Sequence, residues 1–372
     1  MIKVLFLIPN LGHGGAEKVL VNLVNNMNRM KFDISVTTIF GGGVNEQFLA
    51  PHIKYKAIFK KTFPGNSHFM KLFSPTLLHK LFIKENYDIE VAYLEGPAAR
   101  IISGCKKNNT KLISWIHCTM HSLKDISVSF RNNDEATICY KKFDALVYVS
   151  QSCREAFQKY CKTDKKNIVL YNTNDSNAIR EKALQVPKIM NQSNVFKWCG
   201  VGKIVPIKAF DRMLRIQKKL LEQGYMTHLY ILGEGELKKE LEDWCKANKI
   251  ENNVTFLGYQ TNPYQYVAHC DLFVCSSLSE GFSTAATEAL ILGIPVCTVE
   301  VSGMTEMLGE NNEYGIITKN DETELYFGLK KLIDNPKLLD QYKKKSLQRS
   351  EIFRTENTVK KAEELFCSII KN

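Results

Sequence analysis

The chain has 372 residues, 44% hydrophobic and 24% charged, which excludes a disordered or fibrous protein and gives length enough for two globular domains. Its longest uncharged apolar stretches, such as 289–299, are about half the ~20 residues that a helix needs to cross a bilayer, so no membrane span is expected. The net charge of +11 is uneven, with 24 Lys and Arg against 14 Asp and Glu in residues 1–175 and near balance afterwards, which points to an anionic partner for the first half.

In chain order, the opening run Lys3 to Ile8 reads as a strand rather than a signal peptide: it carries one charge and stops at Pro9 without a small-residue cleavage site, so a cytosolic location is expected. A loop containing Gly12, Gly14, Gly15 and Glu17 follows, then a helix with Val19, Leu20, Leu23, Val24 and Met27 on one face. Glycines let a backbone approach a ligand, and helix-start amides attract phosphate, although a bare strand-to-helix turn needs the same residues. The second strand, Phe32 to Phe40, ends in Gly41, Gly42 and Gly43 rather than an acid, and the first loop lacks Gly-x-Gly-x-x-Gly, which disfavours nicotinamide chemistry.

No acid occurs between Glu46 and Glu85, while Lys54, Lys56, Lys60, Lys61, Lys71, Lys80 and Lys84 alternate with Phe59, Phe63, Phe69, Phe73 and Phe82. This basic, aromatic segment suits an anionic membrane surface, or is a solvated amphipathic face. Further strands are expected at Ile89 to Tyr93, Lys111 to Ile116, Ala145 to Val149 and Asn167 to Leu170. His117 follows the second of these and reads, from the residues alone, as a core histidine. Residues 176–194 are polar, aperiodic and contain Pro187, and are expected to link two domains.

The second series of strands is expected at Phe196 to Val201, Thr227 to Leu232, Asn253 to Leu257, Asp271 to Cys275, Pro295 to Val299 and Gly315 to Thr318. Lys203 and Lys208 follow the first of them and could neutralise a diphosphate or merely face solvent. After Cys275 the chain reads loop, helix from about Ser283, and a glycine stop at Gly293. Glu280 then lies in the loop at a helix start. Glu288 lies on a helix apolar almost all round, where a carboxylate needs a partner such as a ribose diol or a cationic side chain. Residues 355–371 are predicted helical, with Val359, Ala362, Leu365, Phe366 and Ile369 on one side. The eleven cysteines are scattered without Cys-x-x-Cys and are expected to be reduced core residues.

Together these residues resemble the retaining glycosyltransferases of family 4, over nearly the whole chain. The resemblance rests on Gly14-Gly15-Ala16-Glu17, the segment 202–208, Gly233-Glu234-Gly235-Glu236, Phe256-Leu257-Gly258-Tyr259 and, above all, Glu280-x7-Glu288. It implies an α/β chain of two facing Rossmann-like domains, the B-type glycosyltransferase fold, with an interdomain cleft. An acceptor-binding domain would span 1–175 and a nucleotide-sugar-binding domain 195–354, with a helix at 355–372 packing back on one of them. It further implies that Gly14 and Gly15 approach the donor diphosphate and that Lys203, where the family usually has arginine, neutralises it with Lys208. Gly258 and Tyr259 would flank the nucleobase, and Glu280, Gly281, Phe282, Ser283 and Thr284 would contact the donor sugar. Glu288 would bind ribose, and His117 would hydrogen-bond the donor sugar or orient the acceptor, with His13 and His121 as nearby alternatives.

The function expected is retaining transfer from a UDP- or GDP-linked sugar to a lipid-linked or polysaccharide acceptor in bacterial surface glycan synthesis, at the inner face of the cytoplasmic membrane. No Asp-x-Asp occurs, so basic side chains and helix amides are expected to replace a metal, with no cofactor and no nucleic-acid partner. The competing readings are a nucleotide-sugar epimerase on the same fold, which would need no acceptor, and a non-catalytic basic module binding membrane or nucleic acid, whose binding would collapse with salt.

Overall fold

A computed structural model describes residues 1–187, 190 and 194–371. Among them the chain forms two compact units, Met1–Thr173 together with the segment from Thr355 onward, and Asn174–Arg354. Each is a parallel sheet covered by helices, the doubly wound Rossmann-like arrangement.

The first unit contains β1 (Ile2–Ile8), β2 (Phe32–Phe40), β3 (Lys54–Phe59), β4 (Ile89–Tyr93), β5 (Lys111–Ile116), β6 (Ala145–Tyr148) and β7 (Lys166–Val169), in the order β3-β2-β1-β4-β5-β6-β7. Val4 to Ile8 are all fully buried, as expected of a central strand covered on both faces. The second unit contains β8 (Phe196–Val201), β9 (Thr227–Leu232), β10 (Val254–Gly258), β11 (Leu272–Cys275), β12 (Val296–Val299) and β13 (Ile316–Thr318), in the order β10-β9-β8-β11-β12-β13. Strand order reverses between β1 and β4 in one unit and between β8 and β11 in the other. Loops diverge at such a reversal and leave a crevice beyond the carboxyl ends of the strands.

Three features differ from the sequence reading. β3 lies inside the basic segment and was not foreseen, because Lys54 and Lys56 break its apolar pattern; it is an edge strand, where lysines discourage pairing with other chains. The phenylalanines of that segment do not all face outward: Phe40, Phe59, Phe63, Phe69 and Phe73 pack in successive ring contacts of 5.2–5.9 Å, and Phe59 also meets Phe82 at 5.7 Å. What the segment exposes is Phe69, Leu72, Leu77 and Leu81.

The third difference is the expected linker. Ser176–Ala183 is a helix capped by Asp175, whose Oδ1 accepts from the Ala178 amide at 3.0 Å. Ile179 is buried in a small core with Tyr264 and Ile291, so this helix is part of the second unit. One apolar anchor on an otherwise polar helix is too little periodicity to read. Residues 188, 189 and 191–193 of the expected linker lie outside the described residues. The helix Thr355–Lys371 belongs to the first unit, where Phe366 meets Phe6 of β1 at 5.9 Å and Phe32 of β2 at 6.1 Å.

Candidate active site

In the second unit, β8 and β11 diverge into the two loops expected to carry chemistry. Lys208 ends the first and Glu280 sits in the second, and they meet across the reversal with Nζ to Oε1 at 2.6 Å. The Ser277 hydroxyl donates to the same oxygen at 2.6 Å and the Cys275 thiol at 3.7 Å. Burial raises the Cys275 pKa, so this donor keeps its proton. The Glu280 side chain is 10% exposed and that of Lys208 29%, so their attraction is screened less than at an open surface.

The backbone behind Lys208 is held against its preference. Ala209 has φ 49°, a left-handed conformation costly for a residue with a Cβ, and the Ser276 hydroxyl fixes it by bonding the carbonyls of Lys208 and Ala209 at 3.0 Å each. Lys208, Glu280 and Ser283 line one small cavity of about 20 Å³ with Val201, Phe210 and Cys275. Ser283 caps the helix Thr284–Ile291 by accepting from the Ala286 amide at 3.3 Å. Gly281 and Phe282 precede this cap and Thr284 begins the helix, so its amino end lies in the same loop as Glu280.

Glu288 lies one turn further along, 6% exposed, and accepts from the Tyr264 hydroxyl at 3.1 Å. Tyr264 thus holds a carboxylate for which sequence reasoning expected a ribose diol or a cationic side chain, and its sequence neighbourhood carries no signal for that role. Gly258 ends β10 at φ 68°, where its carbonyl accepts from Gly233 N at 2.8 Å; Tyr259 beside it is exposed. A Cβ on Gly233 or Gly235 would strike the backbone of Gly202 or Ile204, so these glycines allow the loops after β8 and β9 to dock. Lys203 is on that docked loop and faces solvent.

In the first unit, Gly14 is the N-cap of the helix Gly15–Asn26, with no side-chain cap, and the exposed Gly15 opens its first turn. Asn10 accepts from Gly12 N at 2.8 Å, and Asn45 donates to the Gly12 carbonyl, fixing the loop shape. His117 follows β5, and its backbone amide donates to Glu95 Oε2 at 2.9 Å. Glu95 lies just beyond β4 beside Leu94, which is held at φ 97°. The rule that ligands gather beyond strand ends could have flagged Glu95; it was missed.

The His117 ring packs 4.6 Å from Tyr93 and 6.4 Å from Trp115. His117 Nε2, the Tyr93 hydroxyl and the Trp115 indole nitrogen are buried with no hydrogen-bond partner among the described residues. Orphaned polar atoms in such number are uncommon in native interiors and suit a site completed by a polar substrate. Burial lowers the His117 pKa to about 3, so its imidazole is neutral at pH 7. Nitrogen NMR of the ring should therefore show no titration step between pH 5 and 8. Because the folded pKa lies below the unfolded value near 6.5, the unfolded chain takes up this proton first. Stability should therefore fall as pH drops from about 6.5 towards 3, and less steeply in His117→Gln.

The family model described as Glycosyltransferase Family 4 matches residues 13–176, and that described as Glycosyl transferases group 1 matches 182–349. The chain belongs to this glycosyltransferase family. It is 28% identical, over 95% of its length and 96% of the other protein, to the N-acetylgalactosamine-N,N'-diacetylbacillosaminyl-diphospho-undecaprenol 4-alpha-N-acetylgalactosaminyltransferase of Campylobacter jejuni. It is 22% identical to the poly(ribitol-phosphate) alpha-N-acetylglucosaminyltransferase of Staphylococcus aureus, over 78% of this chain and 61% of that one. Its fold matches that of Anabaena Alr3699/HepE, crystallised with UDP and glucose, at a TM-score of 0.79 and 20% identity, covering 99% of this chain and all of the other. The B-type fold expected of this glycosyltransferase is thus the fold it has.

Proposed function

We propose that this glycosyltransferase moves a hexosyl or N-acetylhexosaminyl group, with retention, from a UDP- or GDP-linked sugar to a lipid-linked or polysaccharide acceptor of a bacterial surface glycan. The observation that carries the reading is the Lys208–Glu280 pair at the strand-order reversal, beside the amino end of the Ser283-capped helix. A leaving diphosphate needs compensation of its charge, which Lys208, Lys203 and the amides at Gly14 and Gly15 supply without a catalytic metal. Glu280 and the backbone of 281–284 hold the sugar hydroxyls. Glu288, set by Tyr264, takes the ribose, and Gly258 and Tyr259 flank the base.

His117, being neutral, can share a hydrogen bond with a sugar hydroxyl but carries no positive charge. In the retaining step the acceptor hydroxyl attacks from the side the diphosphate leaves, a phosphate oxygen takes its proton, and the enzyme supplies no covalent nucleophile. Two relatives carry undecaprenol diphosphate or ribitol phosphate in their names, which supports a lipid-linked or phosphate-bearing acceptor. The exposed Leu72, Leu77 and Leu81, with Lys80 and Lys84, support peripheral attachment to the inner face of the cytoplasmic membrane. Among the described residues no helix is long and apolar enough to cross it.

The test is a panel of UDP-, GDP- and dTDP-sugars screened by thermal shift, followed by transfer to membrane extract without added divalent cation. One donor class should stabilise the fold by roughly 2.7 kcal/mol at a hundred times its Kd, and NMR should show the anomeric configuration kept in the product. A sugar converted with no acceptor present would make the protein an epimerase. Stabilisation by no nucleotide sugar would remove the reading altogether.

A further inference from the structure

Away from these loops, the first unit buries a cluster of three donors. Glu90 of β4 is fully buried on the face opposite Tyr93, two strand positions nearer the amino end than Ala92. The buried His79, on the helix Pro75–Phe82, places Nε2 at 2.7 Å from Glu90 Oε2. The Cys105 thiol, half-buried beyond the helix Pro97–Ile102, points at the other carboxylate oxygen at 4.0 Å. The three donor atoms lie within 4.8 Å of one another. Gly104 makes this convergence possible, since a Cβ there would strike the backbone at Pro75, where the helix bearing His79 begins. The sequence reading expected reduced core cysteines; Cys105 is half-buried instead, as is Cys367, and Cys118 is exposed.

We infer that His79, Glu90 and Cys105 form a binding site for one zinc ion, separate from the transfer chemistry, which pins the helix Pro75–Phe82 to β4. Imidazole, carboxylate and thiolate are the donors zinc takes, at about 2.0–2.3 Å. Tetrahedral angles at those lengths set donors roughly 3.4–3.7 Å apart, so side-chain adjustments of about 1 Å complete the site. Charge balances as well. Zinc with a neutral imidazole, a carboxylate and a thiolate is net neutral, and the protons it displaces go to solvent. The partial exposure of Cys105 gives the ion its entry, and a water there completes four-fold coordination. Cysteine with histidine and a carboxylate favours zinc over magnesium or calcium, which seek oxygen donors alone.

The test uses the full chain, purified under reductant, stripped with a chelator, reloaded with zinc and desalted, beside Cys105→Ser. The wild type should keep about one zinc per chain, and the serine variant should bind it more weakly by more than the roughly 10–100-fold that losing an outer-shell partner costs. Cobalt loaded in place of zinc should give a thiolate-to-metal charge-transfer band in the wild type and none in the variant. The half-exposed, near-isosteric substitution should leave the circular dichroism spectrum unchanged, so its result reports on the site rather than on folding. Less than about half a zinc per wild-type chain, or an undiminished cobalt–thiolate band in Cys105→Ser, overturns the inference. Neither readout depends on transfer activity, so the result stands apart from the proposed function.

Discussion

Lys208→Ala is expected to lower kcat by about two to three orders of magnitude, the loss typical of removing one preorganised group that stabilises transition-state charge. On the proposed function the loss has two parts: the ammonium meant to meet the leaving diphosphate goes, and the Glu280 carboxylate it held at 2.6 Å is left to repel that diphosphate. Glu280→Gln keeps the cation but weakens the hold on the sugar hydroxyls, so it should lower kcat while changing donor affinity less than Lys208→Ala does. In the double variant the two effects should not add, because each substitution changes the same contact. Lys208→Arg should recover part of the rate, since it restores charge with altered geometry. Steady-state kinetics across the four proteins separates these outcomes. Stability should move by less than about 1 kcal/mol in Lys208→Ala, given the partial exposure of that side chain, so a large fall in melting temperature would instead point to a structural role.

Much of the candidate site was legible because its residues lie beyond the ends of strands that announce themselves. Buried parallel strands are runs rich in Val, Ile, Leu and Phe, and β1, β2, β4, β5, β9 and β11 read that way without help from their surroundings. The turns after them are then fixed by position, which is how Gly14, Lys208 and Glu280 came forward as candidates, whereas His117 was singled out by the family resemblance. β3 was hidden because an edge strand is selected to look unlike a strand. The helix Ser176–Ala183 was hidden because its single buried anchor, Ile179, finds Tyr264 and Ile291 from far along the chain. Tyr264 beside Glu288, Glu95 beneath His117, and Cys105 with His79 and Glu90 are contacts between distant segments, and spacing along one segment cannot encode them. Aromatic residues between lysines read as a surface, whereas the fold turns most of those rings upon one another and leaves leucines outside.

The largest structural effect is expected at Arg100, a residue that no sequence pattern singled out. It is 1% exposed on the helix Pro97–Ile102, and its guanidinium donates to the carbonyls of Met70 and Phe73 at 2.8 Å each. The same group grips Glu135 through two bonds of 3.0 Å. Arg131 completes the arrangement by donating to the carbonyls of Lys71 and Leu72 at 2.7 and 2.8 Å. Two arginines therefore satisfy four successive carbonyls at the end of the helix Asn66–Leu72, which lacks the glycine that ordinarily ends a helix.

Arg100→Leu should destabilise the first unit by about 3–5 kcal/mol, because it removes at once both bonds to Glu135 and those to the Met70 and Phe73 carbonyls. Arg131→Ala, at a side chain 45% exposed, should cost about 1 kcal/mol or less. Urea unfolding measures the difference, and hydrogen exchange should accelerate first at residues 70–73. Burial acts to raise the Glu135 pKa, but its bonds to Arg100 and to the Arg131 amide outweigh that and lower it. The stability it contributes is therefore present above the unfolded carboxylate pKa and lost as pH falls through the lower folded value, a loss that should shrink in Arg100→Leu. The segment released carries the exposed Leu72, so binding to anionic vesicles tests whether that leucine must be held in place. If the membrane proposal is right, binding should weaken in Arg100→Leu at temperatures where the sheet remains folded, and unchanged binding would move the docking surface off this segment.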